Sequence, residues 1–267
     1  MHDLVTLGEV MLRLSVASPA RFETARQLDV LIGGAEANVA AACARLGLRA
    51  AWVSALPANP WGERIRRELA GHGVDCAHVR MTEGARVGVY FLEHGVAPRP
   101  TRVLYDRRDS AFARLTAAEV DWAPAEARAF AERVLPRARY LFVGQAEART
   151  VFGLTGAPEQ ALEAFGRLAP KATVVLLRGG DGSLVLDGGR VCRPRIAPAV
   201  QVVDPIGAGD AYVAGFLWAA LTGRDAQEAA DAGAAVSALK CATWGDIALV
   251  SPQDVADLLA GGPDVRR

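Results

Sequence analysis

The stretch from Leu4 to Val10 is mainly apolar and closes near Gly8-Glu9, a pattern that predicts a buried strand. "LRLSVA" and "RQLDVLI" then alternate apolar and polar positions, the mark of strands with one wet face. "GGAEANVAAACARLG" opens on two glycines, continues as an Ala-rich helix and stops at Gly47. "RAAWVSAL" reads as the next strand and "WGERIRRELAGHG" as the next helix. "ARVGVYFLE" and "TRVLYD" alternate again, and with the early pair they can build a small second sheet standing off the main one as a lid. The second half resumes the α/β rhythm: a strand in "RYLFVG", a helix from Ala146, another near Pro158, and a strand in "ATVVLLRGG". "SLVLDGGRVCR" reads as a hairpin turning at Gly188-Gly189, and from Ala208 onward the pattern is almost wholly helical. The alternation of strand and helix predicts an α/β fold with a mainly parallel sheet flanked by helices.

Composition narrows the function classes. The chain is 51% hydrophobic, and its 30 Lys and Arg balance 30 Asp and Glu. That balance offers no general attraction to nucleic acid or anionic lipid, so neither is expected as a partner. Cys43, Cys76, Cys192 and Cys241 are widely spread without a C-x-x-C pair, which fits a reducing cytoplasm and no zinc site. No signal-peptide pattern opens the sequence, and the longest apolar runs are too short to span a bilayer.

The candidate chemistry lies in "VDPIGAGDAYVAGF", Val203 to Phe216, where Asp210 follows a Gly-Ala-Gly turn at the start of an apolar helix. An Asp there is ordinary capping chemistry, but glycines just before it let backbone N–H groups approach a ligand. The residues alone leave both readings open, a helix cap or an anion pocket with a base beside it. In the second reading the amides of Gly207, Ala208 and Gly209 meet at a helix N-terminus, stabilising a phosphoryl group in transfer. Asp210 then stands where an attacking hydroxyl enters. Neither a P-loop nor a G-x-G-x-x-G fingerprint in the first strand occurs.

"GGAEAN", "LRGGDG" and "DPIGAGD", in that order, resemble the ribokinase-like (PfkB) carbohydrate kinases from Leu4 to about Val250. The resemblance implies one kinase domain over residues 1–267, with lid strands near 11–32 and 85–106. It implies ATP-dependent phosphorylation of a sugar hydroxyl with Asp210 as base. It also implies a magnesium ion bound largely through phosphates and water, and a lid that is often a dimer contact, which leaves a homodimer through the lid open. Gly33, Gly34 and Asn38 match the family's sugar site; the alternative is a tight turn with Asn38 solvated. Arg178, Gly179 and Gly182 match the nucleotide loop, and Gly207 and Gly209 also serve the nucleotide. Glu147 fits the last position of the family's N-x-x-E motif, acting on the metal through water or phosphate, although Gly144 replaces the Asn; it could equally be a first-turn helix acid.

Within the family, Pro205 and the tail "ALKCATWGDIALVS" resemble the 2-keto-3-deoxygluconate kinase branch, with Gly245 and Asp246 in its Gly-Asp segment near the nucleotide and Cys241 in place of a frequent His. Tyr90, Tyr105 and Arg107 fall on that branch's acid-sugar contacts, where an Arg fork suits a carboxylate. For these residues the plain alternatives are strand packing and a solvated charge cluster. The implied reaction is 2-keto-3-deoxygluconate to its 6-phosphate. The alternatives are another PfkB kinase, for fructose, ribose or a deoxy-gluconate, or a shortened relative that binds sugar or nucleotide without catalysis. The last follows from a departure: after Ala123 one central strand-helix-strand unit of roughly 30 or more residues is missing, and with it a second substrate-binding Arg. Neighbouring strands must then pair anew or leave edges uncovered.

Overall fold

Ala-rich and Gly-rich segments set how closely the helices of this protein approach. The computed structural model describes residues 2–96, 98–114, 135–196 and 201–261. The elements run β1 (Leu4–Leu7), β2 (Met11–Val16), β3 (Asp29–Gly33), α1 (Ala35–Arg45), β4 (Ala50–Pro57), α2 (Pro60–Gly71), β5 (Val79–Thr82), β6 (Gly88–Glu93) and β7 (Arg102–Asp106). They continue as β8 (Tyr140–Gly144), α3 (Gln145–Phe152), α4 (Pro158–Leu168), β9 (Thr173–Leu177), β10 (Ser183–Asp187), β11 (Arg190–Cys192), α5 (Ala208–Leu221), α6 (Ala226–Cys241) and α7 (Pro252–Leu259). α5 is apolar on all sides and is therefore a core helix. α6 packs against it through small residues: a methyl on Gly215 would come within 2.6 Å of the Ala232 carbonyl, and one on Gly233 within 2.9 Å of the Tyr212 ring. Trp52, Ile65, Leu69, Phe216 and the alanines of α1 and α6 complete this core.

Local chemistry marks the helix ends. Asn59 caps α2 by accepting from the N–H groups of Trp61 and Gly62, with Pro60 in the first turn. α6 and α7 open on capping boxes, Asp225 with Glu228 and Ser251 with Asp254. Gly188 and Gly189 both have positive φ, +53° and +84°, which is what a two-residue turn between β10 and β11 demands.

The strands form three sheets among the described residues. β1-β4-β5 is parallel throughout. In β11-β10-β9-β8, β8 and β9 are parallel and the outer two strands antiparallel. The strands expected to build a lid form the third sheet, β3-β2-β6-β7, with β2 and β6 parallel at its centre and antiparallel strands on either side.

Two expectations are corrected here. Leu4 to Val10 is not a buried strand: β1 ends at Leu7, and Val5 and Leu7 are 57% and 63% exposed. β1 pairs with β4 alone and β8 with β9 alone among the described residues, so one edge of each strand is uncovered. The junction at Ala123, where the sequence leads one to expect a missing crossover, lies outside the described residues. The second correction concerns β2, whose expected wet face is buried: Arg13 and Ser15 are inaccessible because the C-terminal loops cover them.

Candidate active site

The turn before α5 has its shape because Asp204 holds it. One carboxylate oxygen of Asp204 accepts from the Ile206 N–H at 3.0 Å, and the other accepts from the Gly245 N–H at 3.1 Å. Gly207 then turns left-handed, φ +82°, where a side chain would also come within 2.2 Å of the Asp246 carbonyl. The Ala208 N–H closes the turn onto the Pro205 carbonyl at 3.2 Å, so of the three expected anion donors this one is already engaged. Among the described residues nothing accepts from the Gly207 or Gly209 N–H. These two amides stand at the N-terminus of a 14-residue helix, whose dipole adds positive potential.

Asp210, in the first turn of α5, accepts from the Asn38 side-chain amide at 2.8 Å. Asn38 is buried, not solvated, and its carbonyl oxygen accepts from the Gly34 N–H at 3.4 Å. The early glycine turn and the late one are thereby joined through one amide side chain. Burial pushes the Asp210 carboxyl up to about 6, against the Asn38 hydrogen bond, while Asp246 and Glu36 repel its charge and Lys240 attracts it. A carboxylate tuned upward beside unengaged helix N–H groups can accept a proton while those groups hold an anion.

The lid side of the site is built by glycine and tyrosine. A methyl on Gly33 would lie 2.4 Å from both the Tyr90 hydroxyl and an Asp246 carboxylate oxygen. Tyr90 is buried and donates to Asp246 at 2.6 Å. Gly34 is required for a different reason, since a methyl there would meet the Glu9 carbonyl at 2.1 Å. Gly33→Ala is expected to displace Tyr90 and Asp246 and, if Gly33 lines the sugar site that the sequence resemblance implies, to raise the KM for that sugar by about tenfold, the cost of overfilling a packed site; steady-state kinetics check this, and an unchanged KM would remove Gly33 from that expected site. Tyr105 faces Tyr90 across the strand pair with ring centroids 5.9 Å apart, and is largely exposed. Arg107 follows on the rim. Its guanidinium lies 2.8 Å from Glu9 Oε2, an ion pair without hydrogen-bond alignment, and Glu9 Oε1 is buried with no partner among the described residues.

Arg13, which the sequence reading did not single out, anchors this side. It donates to Asp246 at 2.6 Å, to Asp204 at 2.7 Å and to Ser15 at 2.7 Å, and lies 5.3 Å from the centre of the Trp244 ring. Asp246 thus meets both sides: its carboxylate binds Tyr90 and Arg13 on the lid, and its backbone carbonyl lies against Gly207 in the turn before α5. No local pattern signals a pair 233 positions apart.

The remaining candidates lie along the C-terminal ends of β8 and β9. Arg178 N–H bonds the Gly182 carbonyl at 2.9 Å and its guanidinium reaches the Asp181 carbonyl, closing the loop over Gly179–Asp181. Gly179 and Gly182 are exposed with φ of +60° and +78°, so they serve the loop's backbone. A methyl on Gly209 would sit 3.9 Å from Leu177, which sets this loop beside the turn before α5. Glu147 is exposed at the start of α3, and a side chain on Gly144 would collide with its carboxylate at 2.0 Å. Gly at 144 is thus what lets Glu147 fold back over the end of β8. Among the described residues no hydrogen bond or ion pair joins Glu147 to the turn before α5, and no three His, Cys, Asp or Glu side chains form a metal cluster.

The sequence profile described as pfkB family carbohydrate kinase matches residues 1–132 and 119–253. The chain belongs to the pfkB family of carbohydrate kinases. The two matched stretches of this pfkB kinase meet around the junction at Ala123. The chain is 37% identical over 312 residues to a 2-dehydro-3-deoxygalactonokinase of Haloferax volcanii, covering 97% of each protein. It is 28% identical over 311 residues to a 2-dehydro-3-deoxygluconokinase of Thermoproteus tenax, covering 97% of this chain and 94% of that one. Both alignments are longer than this pfkB kinase itself, which has 267 residues, so the relatives carry residues that face gaps in it. Among solved structures, the 2-dehydro-3-deoxygluconokinase of Thermotoga maritima superposes with a TM-score of 0.83 at 28% identity, over 97% of this chain and 99% of that one. The expected ribokinase-like α/β fold and phosphotransferase class both stand.

Proposed function

We propose that this pfkB kinase transfers the γ-phosphoryl group of ATP to the 6-hydroxyl of a 2-keto-3-deoxy aldonic acid, 2-keto-3-deoxygluconate first. The observation that carries the reading is the Asn38–Asp210 pair standing at the unengaged N–H groups of α5. Asp210 accepts the hydroxyl proton as the oxygen attacks, and the Gly207 and Gly209 amides with the helix dipole take up the charge of the group in flight. A magnesium ion bound with the phosphates of ATP would supply the positive charge that offsets theirs. The exposed carboxylate of Glu147 is suited to hold its water shell, and the Arg178–Gly182 loop to line the nucleotide.

The acid-sugar assignment rests on Tyr90, Tyr105 and Arg107, and on the two relatives named for 2-dehydro-3-deoxy sugar acids. A hollow of about 650 Å³ at the lid rim is lined by Tyr105, by Arg86, Arg107, Arg108 and Arg114, and by Asp106 and Asp109; Arg86 pairs with Asp106 and Arg114 with Asp109, and the positive charge left over favours an anionic substrate. Arg107→Ala is expected to lower kcat/KM for the acid by about 10–100-fold, the worth of a charged hydrogen bond, and that for a neutral sugar by far less. Equal losses would reassign the substrate to the neutral class.

The deciding experiment is ATP-dependent ADP release with 2-keto-3-deoxygluconate, its C4 epimer, fructose and ribose compared side by side. Turnover with the acids, lost in Asp210→Ala, is the expected result. Turnover with neutral sugars alone refutes the acid assignment. Nucleotide binding by calorimetry without turnover would make the chain a shortened, non-catalytic relative.

A further inference from the structure

Lys240, near the end of α6, is fully buried, and the phosphoryl-transfer scheme above gives it no role. Its ammonium donates to the backbone carbonyl of Asp204 at 2.7 Å. Asp204 is the residue from which the turn before α5 is hung, through Ile206, Gly245 and Arg13. Of the carboxylates within electrostatic reach, Asp204 and Asp246 are both committed to Arg13 by hydrogen bonds and Asp210 accepts from Asn38, so among the described residues the Lys240 ammonium has no carboxylate in direct contact. Burial pulls the ammonium below its usual range, and no stability argument asks for an unpaired cation in such a place.

We propose that Lys240 is an electrostatic positioning residue for the reaction: its buried ammonium fixes the Asp204 carbonyl behind the turn and supplies positive potential to the Gly207–Gly209 anion pocket and Asp210. It touches neither substrate nor nucleotide. The same charge favours ionised Asp210, in opposition to Asp246 and Glu36. A fixed cation in a site closed to water acts over several ångströms with little screening, and that is where charge grows during phosphoryl transfer. This inference rests on the kinase reading of the turn, and not on which sugar is used.

The test compares Lys240→Met, which keeps the stem and removes the charge, with Lys240→Ala, which leaves room for a small amine. Circular dichroism and thermal melts first establish that each is folded. Two readouts follow: kcat with whichever sugar the wild type uses, and calorimetric affinity for ADP with magnesium and aluminium fluoride against ADP with magnesium alone. The second reports on the planar phosphoryl mimic even in a protein that binds nucleotide without turnover. Each folded variant should lose about 30-fold in kcat with sugar KM within threefold, and lose affinity for the fluoride complex while keeping that for ADP. Propylammonium should restore part of both losses in Lys240→Ala with a saturable dependence, and tetramethylammonium, which has no N–H, should not. Unchanged kcat and fluoride affinity in folded variants overturn the proposal. So does equal loss of ADP and fluoride-complex binding, or failure of both variants to fold with or without the amine, since either makes Lys240 structural only. A wild type that turns over a neutral sugar refutes the acid-sugar reading and leaves this comparison intact.

Discussion

Asp210→Asn is expected to lower kcat by about a thousandfold, within the range measured for removing a general base, while making the protein more resistant to heat. The two effects have one cause. Burial raises the carboxyl to about 6 in the folded chain, above its ordinary value, so the fold favours the neutral form and bears a cost for the ionised one. For an acid shifted upward, the group's stabilising contribution is complete below its unfolded pKa, near 3.8, and is lost as pH rises to about 6. At pH 7 the cost is on the order of 1–3 kcal/mol, and the isosteric amide, which never ionises, avoids it. The melting temperature of the variant should therefore exceed that of the wild type at pH 7 by several degrees, and the two should converge near pH 4. Wild-type kcat/KM should fall as pH drops through about 6, because the proton then occupies the base. Thermal melts and rates between pH 4 and 8 check both halves. A variant that keeps its rate would remove Asp210 from the chemistry, and one melting lower at pH 7 would refute the burial argument.

Arg13→Met should be the most destabilising single change on the lid, by about 3–5 kcal/mol, the penalty typical of breaking a buried ion pair from one side. Although burial works against its charge, the pairs with Asp246 and Asp204 outweigh that and hold the guanidinium above its ordinary value. The variant leaves the buried carboxylates of Asp204 and Asp246 without the guanidinium that both of them bind. It should also loosen the turn before α5, because Asp204 loses the anchor that orients it, so kcat falls with stability. Removing both carboxylate charges as well, with Asp204→Asn and Asp246→Asn, should recover part of the stability and none of the rate. Urea denaturation of the single and triple variants measures this. A midpoint unmoved in Arg13→Met, or equal destabilisation in the triple variant, would show that the network does not hold the lid.

The sequence made some of this site legible and concealed the rest for a physical reason. "GAGD" announces itself because a left-handed turn and a helix start leave a local imprint, and Gly207 does have the positive φ that its pattern implies. The lid strands were legible through period-two alternation. Alternation names two faces without saying which is covered, and so the pattern gives Arg13 and Ser15 to water although the C-terminal loops bury them. Lys240 and Glu9 were missed for the same reason, since each acquires its role from partners far along the chain. The apolar character of β1 was read correctly and its burial was not, because burial depends on a neighbouring strand that the described chain does not supply.

The Arg13 anchor also sets how the lid can move. Arg13 projects from the middle of β2 into the loops carrying Asp204 and Asp246, while Tyr90 on the neighbouring β6 is tied to the same Asp246. A lid pinned at its two central strands cannot swing open as a rigid plate without breaking those bonds, which belong to the slow, cooperative openings of the whole fold. The rim beyond, where Tyr105 and Arg107 are largely exposed, takes no part in those bonds. A ligand that reached the turn before α5 past this rim would have to pass side chains of an edge strand, and not a plate that swings.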